Sequence, residues 1–141
     1  MVQALKTARI FLVEDNPADV LLVRKALQET GIDFNLTSFA DGQKALDNLA
    51  QQDRKAPDVI LLDLNLPRTE GIEVLRKIRN MPSLADVPVA ILTSSESPAD
   101  MHRTALLGAA RYIRKPIRLD DFLREVGHGV EEMLSLRGGS R

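Results

Sequence analysis

Five short apolar segments alternate with five longer amphipathic segments along the chain, and this alternation constrains the fold more than any other feature of the sequence. Short apolar runs bounded by turn and cap residues are typical of strands, whereas a period near 3.6 is typical of helices. The predicted strands span residues 9–14, 34–39, 58–63, 87–93 and 110–114. The predicted helices span residues 17–30, 42–51, 70–79, 99–107 and 119 to about 136.

The alternation predicts an α/β fold with a parallel sheet. No hairpin signal joins consecutive strands, so we expect right-handed crossovers with helices on both faces of the sheet. For five strands, the flavodoxin-like doubly wound order 2-1-3-4-5 is the common arrangement. With 141 residues, we predict one domain over residues 1–141, with a core at about 8–134 and a frayed tail at 138–141.

The predicted helix ends carry residues that favour caps and stops. Asn16 and Ser97 each precede a proline, which predicts two N-caps, and Thr69 predicts a third. Gly31 and Gly108 predict C-terminal stops. These side chains support the helix limits that the periodicity gives.

The last predicted helix contains Gly127 and Gly129, although its apolar stripe continues beyond them. A glycine inside a helix costs about 1 kcal/mol relative to alanine. We therefore expect another element to pack closely against this part of the helix.

The composition excludes several classes of function. The net charge is −1 and the basic residues are scattered, so neither nucleic acid nor an anionic membrane is an expected partner. The chain has no cysteine, which excludes disulfides and thiolate-bound zinc. The first apolar run is far shorter than a signal peptide core and ends at Glu14 and Asp15, and no run approaches membrane-spanning length. We expect a cytoplasmic protein.

Polar side chains end or directly follow four of the predicted strands and should meet at one edge of the sheet, because parallel strands all end there. They are Glu14, Asp15, Asp63, Thr93 and Lys115. Three neighbouring carboxylates repel one another unless a divalent cation neutralises them, and oxygen ligands favour Mg²⁺. A hydroxyl and an ammonium placed opposite could hold the oxygens of a phosphoryl group on Asp63. The set indicates phosphoryl transfer to an aspartate.

These residues resemble the receiver domain of bacterial two-component response regulators. The matching features are Glu14-Asp15 after the first strand, Asp63 after the third, Thr93-Ser94 after the fourth and Lys115-Pro116 after the fifth. The resemblance covers about residues 8–134. Each motif alone is weak, whereas all of them in this order make a specific signal.

The resemblance implies a role for each matching residue. Asp63 would accept the phosphoryl group, and Thr93 and Lys115 would contact it. Mg²⁺ would be held by Glu14, Asp15, Asp63 and the backbone carbonyl of Asn65. Tyr112 would be the aromatic switch residue that moves inward with Thr93. The peptide bond between Lys115 and Pro116 would be cis.

The resemblance also implies partners. A sensor histidine kinase would present phosphohistidine, and the receiver would catalyse only its own phosphorylation and dephosphorylation. Residues 11–19 and 63–67 are similar to single-domain regulators that partner phytochrome-type kinases. No output module accompanies the receiver in this sequence, so we expect a downstream protein target.

Charged residues near the end of the chain are compatible with a self-complementary homodimer surface on the fourth helix, fifth strand and fifth helix. An ordinary solvated surface explains the same pattern nearly as well. The residues are Arg103, Arg111, Arg114, Arg118, Asp120, Asp121 and Glu125.

Two other functions are alternatives to phosphoryl signalling. A hydrolase of the haloacid dehalogenase type also places a nucleophilic aspartate at a strand end, but it needs a second aspartate where this chain has Asn65, and it leaves Glu14 and Asp15 unexplained. A receiver that binds its partner without ever being phosphorylated is the third reading. The complete set of acidic residues, with Thr93 and Lys115, argues against it.

Overall fold

The computed structural model describes residues 7–51, 55–115 and 118–139, with side chains up to residue 136. The strands are β1 (Ala8–Val13), β2 (Phe34–Phe39), β3 (Val59–Asp63), β4 (Val89–Thr93) and β5 (Arg111–Arg114). The helices are α1 (Pro17–Thr30), α2 (Gly42–Leu49), α3 (Gly71–Arg79), α4 (Pro98–Leu106) and α5 (Leu119–Gly139).

The strands form one parallel sheet in the order β2-β1-β3-β4-β5, which confirms the predicted topology. The register aligns the strand ends. Val13 pairs with Leu62, and Asp63 lies beside Leu92, one residue before Thr93. The residues that follow β1, β3, β4 and β5 therefore meet at the same edge.

The sheet separates two apolar cores. Alternate strand residues such as Leu12 and Leu61 face a core shared with α1 and α5. Their neighbours, such as Val13 and Leu62, face a core shared with α2 and α3. Both faces are covered, so β3 is buried at all five positions, as its continuous aliphatic run requires.

Most of the predicted helix caps and stops are confirmed. The side chains of Asn16 and Ser97 accept the expected capping hydrogen bonds from Ala18 and Asp100. Gly31 ends α1 in the left-handed region, with φ of 79°. These interactions are local in sequence, which is why the sequence predicts them.

The predicted cap at Thr69 is wrong. Glu70 is the N-cap of α3 and makes no capping bond with its side chain. The backbone N–H of Gly71 donates instead to the carbonyl of Leu64, at 3.1 Å. A Cβ at Gly71 would lie 2.5 Å from the carbonyl oxygen of Asp63, so only glycine allows α3 to begin against the end of β3.

Helix α5 passes through both internal glycines without interruption and confirms the expected close packing. A Cβ at Gly127 would lie 3.1 Å from Cγ2 of Thr30 in α1. A Cβ at Gly129 would lie 3.1 Å from Cδ1 of Ile113 in β5. The glycines let α5 approach α1 and the sheet edge together.

Several limits differ from the predicted ones by a few residues. Helix α5 continues to Gly139 rather than about 136, and β4 begins at Val89 rather than at 87, after a 3-10 turn at Pro82–Leu84. The expected cis bond before Pro116 lies outside the described residues, as do the last two residues of the tail. Among the helices in the described ranges, none is both long and apolar enough to cross a lipid bilayer.

Candidate functional site

Three carboxylates meet at the carboxyl edge of the sheet. Glu14 and Asp15 follow β1 and Asp63 ends β3, and one oxygen of each lies within 4.8 Å of those of the other two. Glu14 and Asp63 are 2% and 3% exposed, whereas Asp15 is open to solvent. A donor set made only of oxygen, open on one side, fits a hard divalent cation such as Mg²⁺.

Glu14 is a weaker acid than an ordinary glutamate. Burial raises its pKa, the hydrogen bond from Lys115 lowers it, and the nearby charge of Asp63 raises it again, to about 7. A cation that binds here near neutral pH therefore competes with a proton on Glu14.

Lys115 follows β5 and ties the cluster together. Its Nζ donates to Oε1 of Glu14 at 2.8 Å, to Oδ2 of Asp19 at 2.9 Å and to Oδ2 of Asp63 at 3.4 Å. Burial alone would lower the pKa of Lys115, but hydrogen bonds to Glu14 and Asp19 and the charge of Asp63 raise it above its ordinary value. The lysine is therefore a fixed positive charge beside Asp63.

Thr93, at the end of β4, is fully buried. Its Oγ1 accepts hydrogen bonds from the backbone N–H of Ser95 at 3.1 Å and from the side-chain amide of Asn65 at 3.3 Å. The backbone N–H of Asn65 donates to Oδ1 of Asp63, at 2.9 Å. Asn65 thus connects the carboxylate of Asp63 to the hydroxyl of Thr93.

Tyr112, in β5, is half-buried and packs against the core shared with α2 and α3. Its hydroxyl donates to the carbonyl of Ser95, at 3.2 Å. Ser95 also donates to the hydroxyl of Thr93. One residue of the loop after β4 therefore contacts both of the predicted switch residues.

The structure brings the predicted site residues into one connected group and adds Asp19, which is not among the residues predicted from the sequence. Asp19 lies in the first turn of α1, where an acidic residue is ordinarily explained by the helix dipole. No sequence signal separates Asp19 from such a helix-dipole residue, because its contact with Lys115 depends on tertiary packing.

Known proteins share this fold and sequence pattern. The structure of the phosphorylated cyanobacterial phytochrome response regulator RcpA is 36% identical, with a TM-score of 0.86 over 93% of this chain and 96% of that one. The Mn²⁺-bound response regulator Rcp1 is 38% identical, with a TM-score of 0.81 over 89% of this chain and 92% of that one.

Sequence comparison gives the same relationship. Response regulator Rcp1 of Synechocystis sp. strain PCC 6803 is 39% identical over 126 residues, which are 86% of this chain and 85% of that protein. Residues 10–127 match the family described as the response regulator receiver domain. The chain therefore belongs to the response regulator receiver domain family of two-component signalling.

Proposed function

We propose that this receiver accepts a phosphoryl group on Asp63 from a sensor histidine kinase in the cytoplasm, in a reaction that requires Mg²⁺, and thereby switches a surface that binds another protein. The observation that carries the proposal is the position of Lys115, whose Nζ lies 3.4 Å from Oδ2 of Asp63. A cation beside an acceptor carboxylate is what a phosphoryl group needs in order to approach it.

Asp63 is the nucleophile in this mechanism. Its carboxylate oxygen forms a bond to phosphorus while the bond between phosphorus and the histidine nitrogen breaks, and the imidazole keeps that electron pair and takes up a proton. Lys115 binds an oxygen of the transferring group, and the backbone N–H of Asn65 orients the carboxylate. Mg²⁺, held by Glu14, Asp15, Asp63 and the carbonyl of Asn65, would supply the remaining positive charge.

The switch begins at Thr93. A phosphoryl group brings about 1.5 to 2 negative charges and strong acceptor oxygens, to which the threonine hydroxyl can donate. Thr93 and Tyr112 both contact Ser95, so movement of the hydroxyl also disturbs the loop that holds the tyrosine. A nearly complete shift between two states needs about 5 kcal/mol of differential stabilisation, so a partial shift is expected.

The relatives support a phytochrome-type kinase as the partner. RcpA is a cyanobacterial phytochrome response regulator, and this chain resembles it over nearly the whole length of both proteins. The receiver would relay the signal to a downstream protein target.

The proposal is tested by phosphorylation with phosphoramidate and Mg²⁺, followed by intact mass measurement. The wild-type protein should gain one phosphoryl group, Asp63→Asn should gain none, and EDTA should abolish the reaction. Asp47→Asn, which removes an equal charge from the exposed surface of α2, is the control and should react like wild type.

Equal phosphorylation of Asp63→Asn would overturn the assignment of the acceptor. If the wild-type protein gained no phosphoryl group and did not respond to beryllofluoride, the reading as a receiver that only binds would replace the proposal. The hydrolase reading has no support in the geometry, because the amide of Asn65 donates to Thr93 where that mechanism needs a carboxylic acid. Rapid turnover of a phosphomonoester would restore it.

A further inference from the structure

Lys115 also contacts Asp19, a carboxylate that is neither the expected phosphoacceptor nor part of the cluster of Glu14, Asp15 and Asp63. Glu14 and Asp63 both belong to the cluster that fits a cation, whereas Asp19 lies outside it. Its Oδ2 nevertheless lies 2.9 Å from Nζ of Lys115, which is 0.5 Å closer than Oδ2 of Asp63. The lysine therefore lies closer to Asp19, in α1, than to Asp63, the expected phosphoacceptor.

The donor capacity of Lys115 is fully used. An ammonium has three N–H donors, and the structure gives its Nζ three carboxylate partners, Glu14, Asp19 and Asp63. The side chains of Lys115 and Asp19 are 19% and 23% exposed, so solvent screens this pair less than an ordinary surface ion pair. A new anionic ligand on Asp63 can gain a short hydrogen bond from Lys115 only if an existing contact lengthens.

Asp19 is the contact that can lengthen at the lowest cost. It is half-buried at the start of α1 and can be hydrated when the lysine leaves, whereas Glu14 is buried and would lose its hydrogen-bonding partner. Movement of Nζ from Asp19 toward Asp63 would also bring the ammonium closer to a group attached to Asp63.

We propose that Asp19 is a positioning residue that holds Lys115 away from the phosphoryl position in the resting protein, so that a phosphoryl group on Asp63 must compete with Asp19 for the lysine. The inference rests on the proposed function. It predicts that Asp19 lowers the affinity of the site for the phosphoryl group and for its mimics. It also predicts that the contact between Asp19 and Lys115 opens when the site is filled.

Binding of beryllofluoride in the presence of Mg²⁺ tests the first consequence. Tyr112 is the only tyrosine and the chain has no tryptophan, so intrinsic fluorescence reports on the switch region. Asp19→Asn keeps the size of the side chain and removes its charge. It should bind beryllofluoride about threefold to tenfold more tightly than wild type, because the negative charge of Asp19 no longer competes with the ligand for Lys115.

Two variants separate competition for the lysine from a general effect of charge. Asp19→Glu keeps a carboxylate within reach of Lys115 and should bind beryllofluoride as wild type does. Glu96→Gln removes a charge from the loop after β4, where the carboxylate pairs with Arg114 rather than with Lys115, and should also leave the affinity unchanged. Circular dichroism checks that each variant is folded.

A crystal structure of the wild-type protein with Mg²⁺ and beryllofluoride tests the second consequence. Nζ of Lys115 should contact fluoride and lie beyond hydrogen-bonding distance of Asp19. The inference is overturned if the contact with Asp19 persists in that complex, or if Asp19→Asn binds beryllofluoride no more tightly than wild type. Absence of any response from wild type would instead overturn the proposed function itself.

Discussion

At the scale of single residues, the site is an ammonium, Lys115, held by three carboxylates, with the carboxylate of Asp15 beside them. The sequence predicts Glu14, Asp15, Asp63 and Lys115 because each lies at or just after the end of a strand, and strand ends share one edge in a parallel sheet. Asp19 could not be predicted in the same way, since its contact with Lys115 depends on how far α1 lies from the end of β5. That distance is set by tertiary packing and leaves no pattern in the sequence.

The raised pKa of Glu14 predicts how stability depends on pH in the absence of divalent cations. Glu14 binds its proton more tightly in the folded protein, where its pKa is about 7, than in the unfolded chain, where it is near 4.5. The folded state therefore holds more protons between these values, and the contribution of Glu14 to the free energy of unfolding falls as pH rises from about 4.5 to about 7. Lys115 adds nothing to this window, because its pKa lies above the neutral range in both states.

Chemical denaturation of wild type and Glu14→Gln in EDTA, at several pH values, measures this contribution. The difference in unfolding free energy between the two proteins should change with pH between about 4.5 and 7 and level off above. A difference that is constant across that range would show that Glu14 titrates normally.

At the scale of secondary-structure elements, the sequence predicts what local interactions decide. The limits of α1 and β2 are those predicted, because the Asn16 cap and the stop at Gly31 are local in sequence. The start of α3 differs from the predicted one. The carbonyl of Leu64, just after β3, accepts a hydrogen bond from the backbone N–H of Gly71, in place of the side chain of Thr69. Strand β4 also begins later than predicted. The side chain of Arg79 donates to the carbonyls of Leu84 and Val87 and holds the chain before β4 in a turn, which the sequence pattern does not reveal.

Because α3 begins close to the end of β3, the residue at position 71 affects the position of Asp63. A Cβ at Gly71 would lie 2.5 Å from the backbone of both Asp63 and Leu64, and backbone atoms cannot rotate away as a side chain can. Gly71→Ala should lower the free energy of unfolding by about 1–3 kcal/mol and should slow phosphorylation of Asp63, because the strand end must shift.

Gly31→Ala is the matched control for this prediction. Gly31 has a positive φ but no atom within 4 Å of the position of a Cβ, and it lies at the opposite end of α1 from the site. The substitution should lower stability by about 1 kcal/mol without slowing phosphorylation. If both variants are phosphorylated at the wild-type rate, Gly71 has only a structural role. Denaturation and phosphoramidate reaction rates provide the two measurements.

At the scale of the whole molecule, one surface combines exposed charge with exposed apolar side chains. Leu106 and Met101 on α4 are 73% and 48% exposed. Arg103 lies 4.0 Å from Asp100 in α4, and Arg118, just before α5, lies 3.8 Å from Asp121; such long, exposed ion pairs contribute little to stability. These charges can therefore pair with a second copy of the chain, as a homodimer through α4, β5 and α5 would require.

Reversal of a charge on this surface tests the homodimer. Arg103→Glu should lower the weight-average mass of the beryllofluoride-bound protein in sedimentation equilibrium, because it places like charges across a two-fold interface. Lys25→Glu makes the same change on the exposed face of α1, outside the proposed interface, and should leave that mass unchanged. Equal masses for both variants and wild type would exclude this surface as the dimer contact.

The two outer strands limit how copies of the molecule can meet. Strand β2 presents Asn35, Thr37 and Ser38 to solvent, and β5 presents Arg111 and Arg114. Short outer strands with polar or charged side chains resist the addition of another strand, which is the contact that leads to open-ended aggregates. Association by strand addition is therefore disfavoured at both edges of the sheet, and a high local concentration of the receiver should not by itself produce fibres.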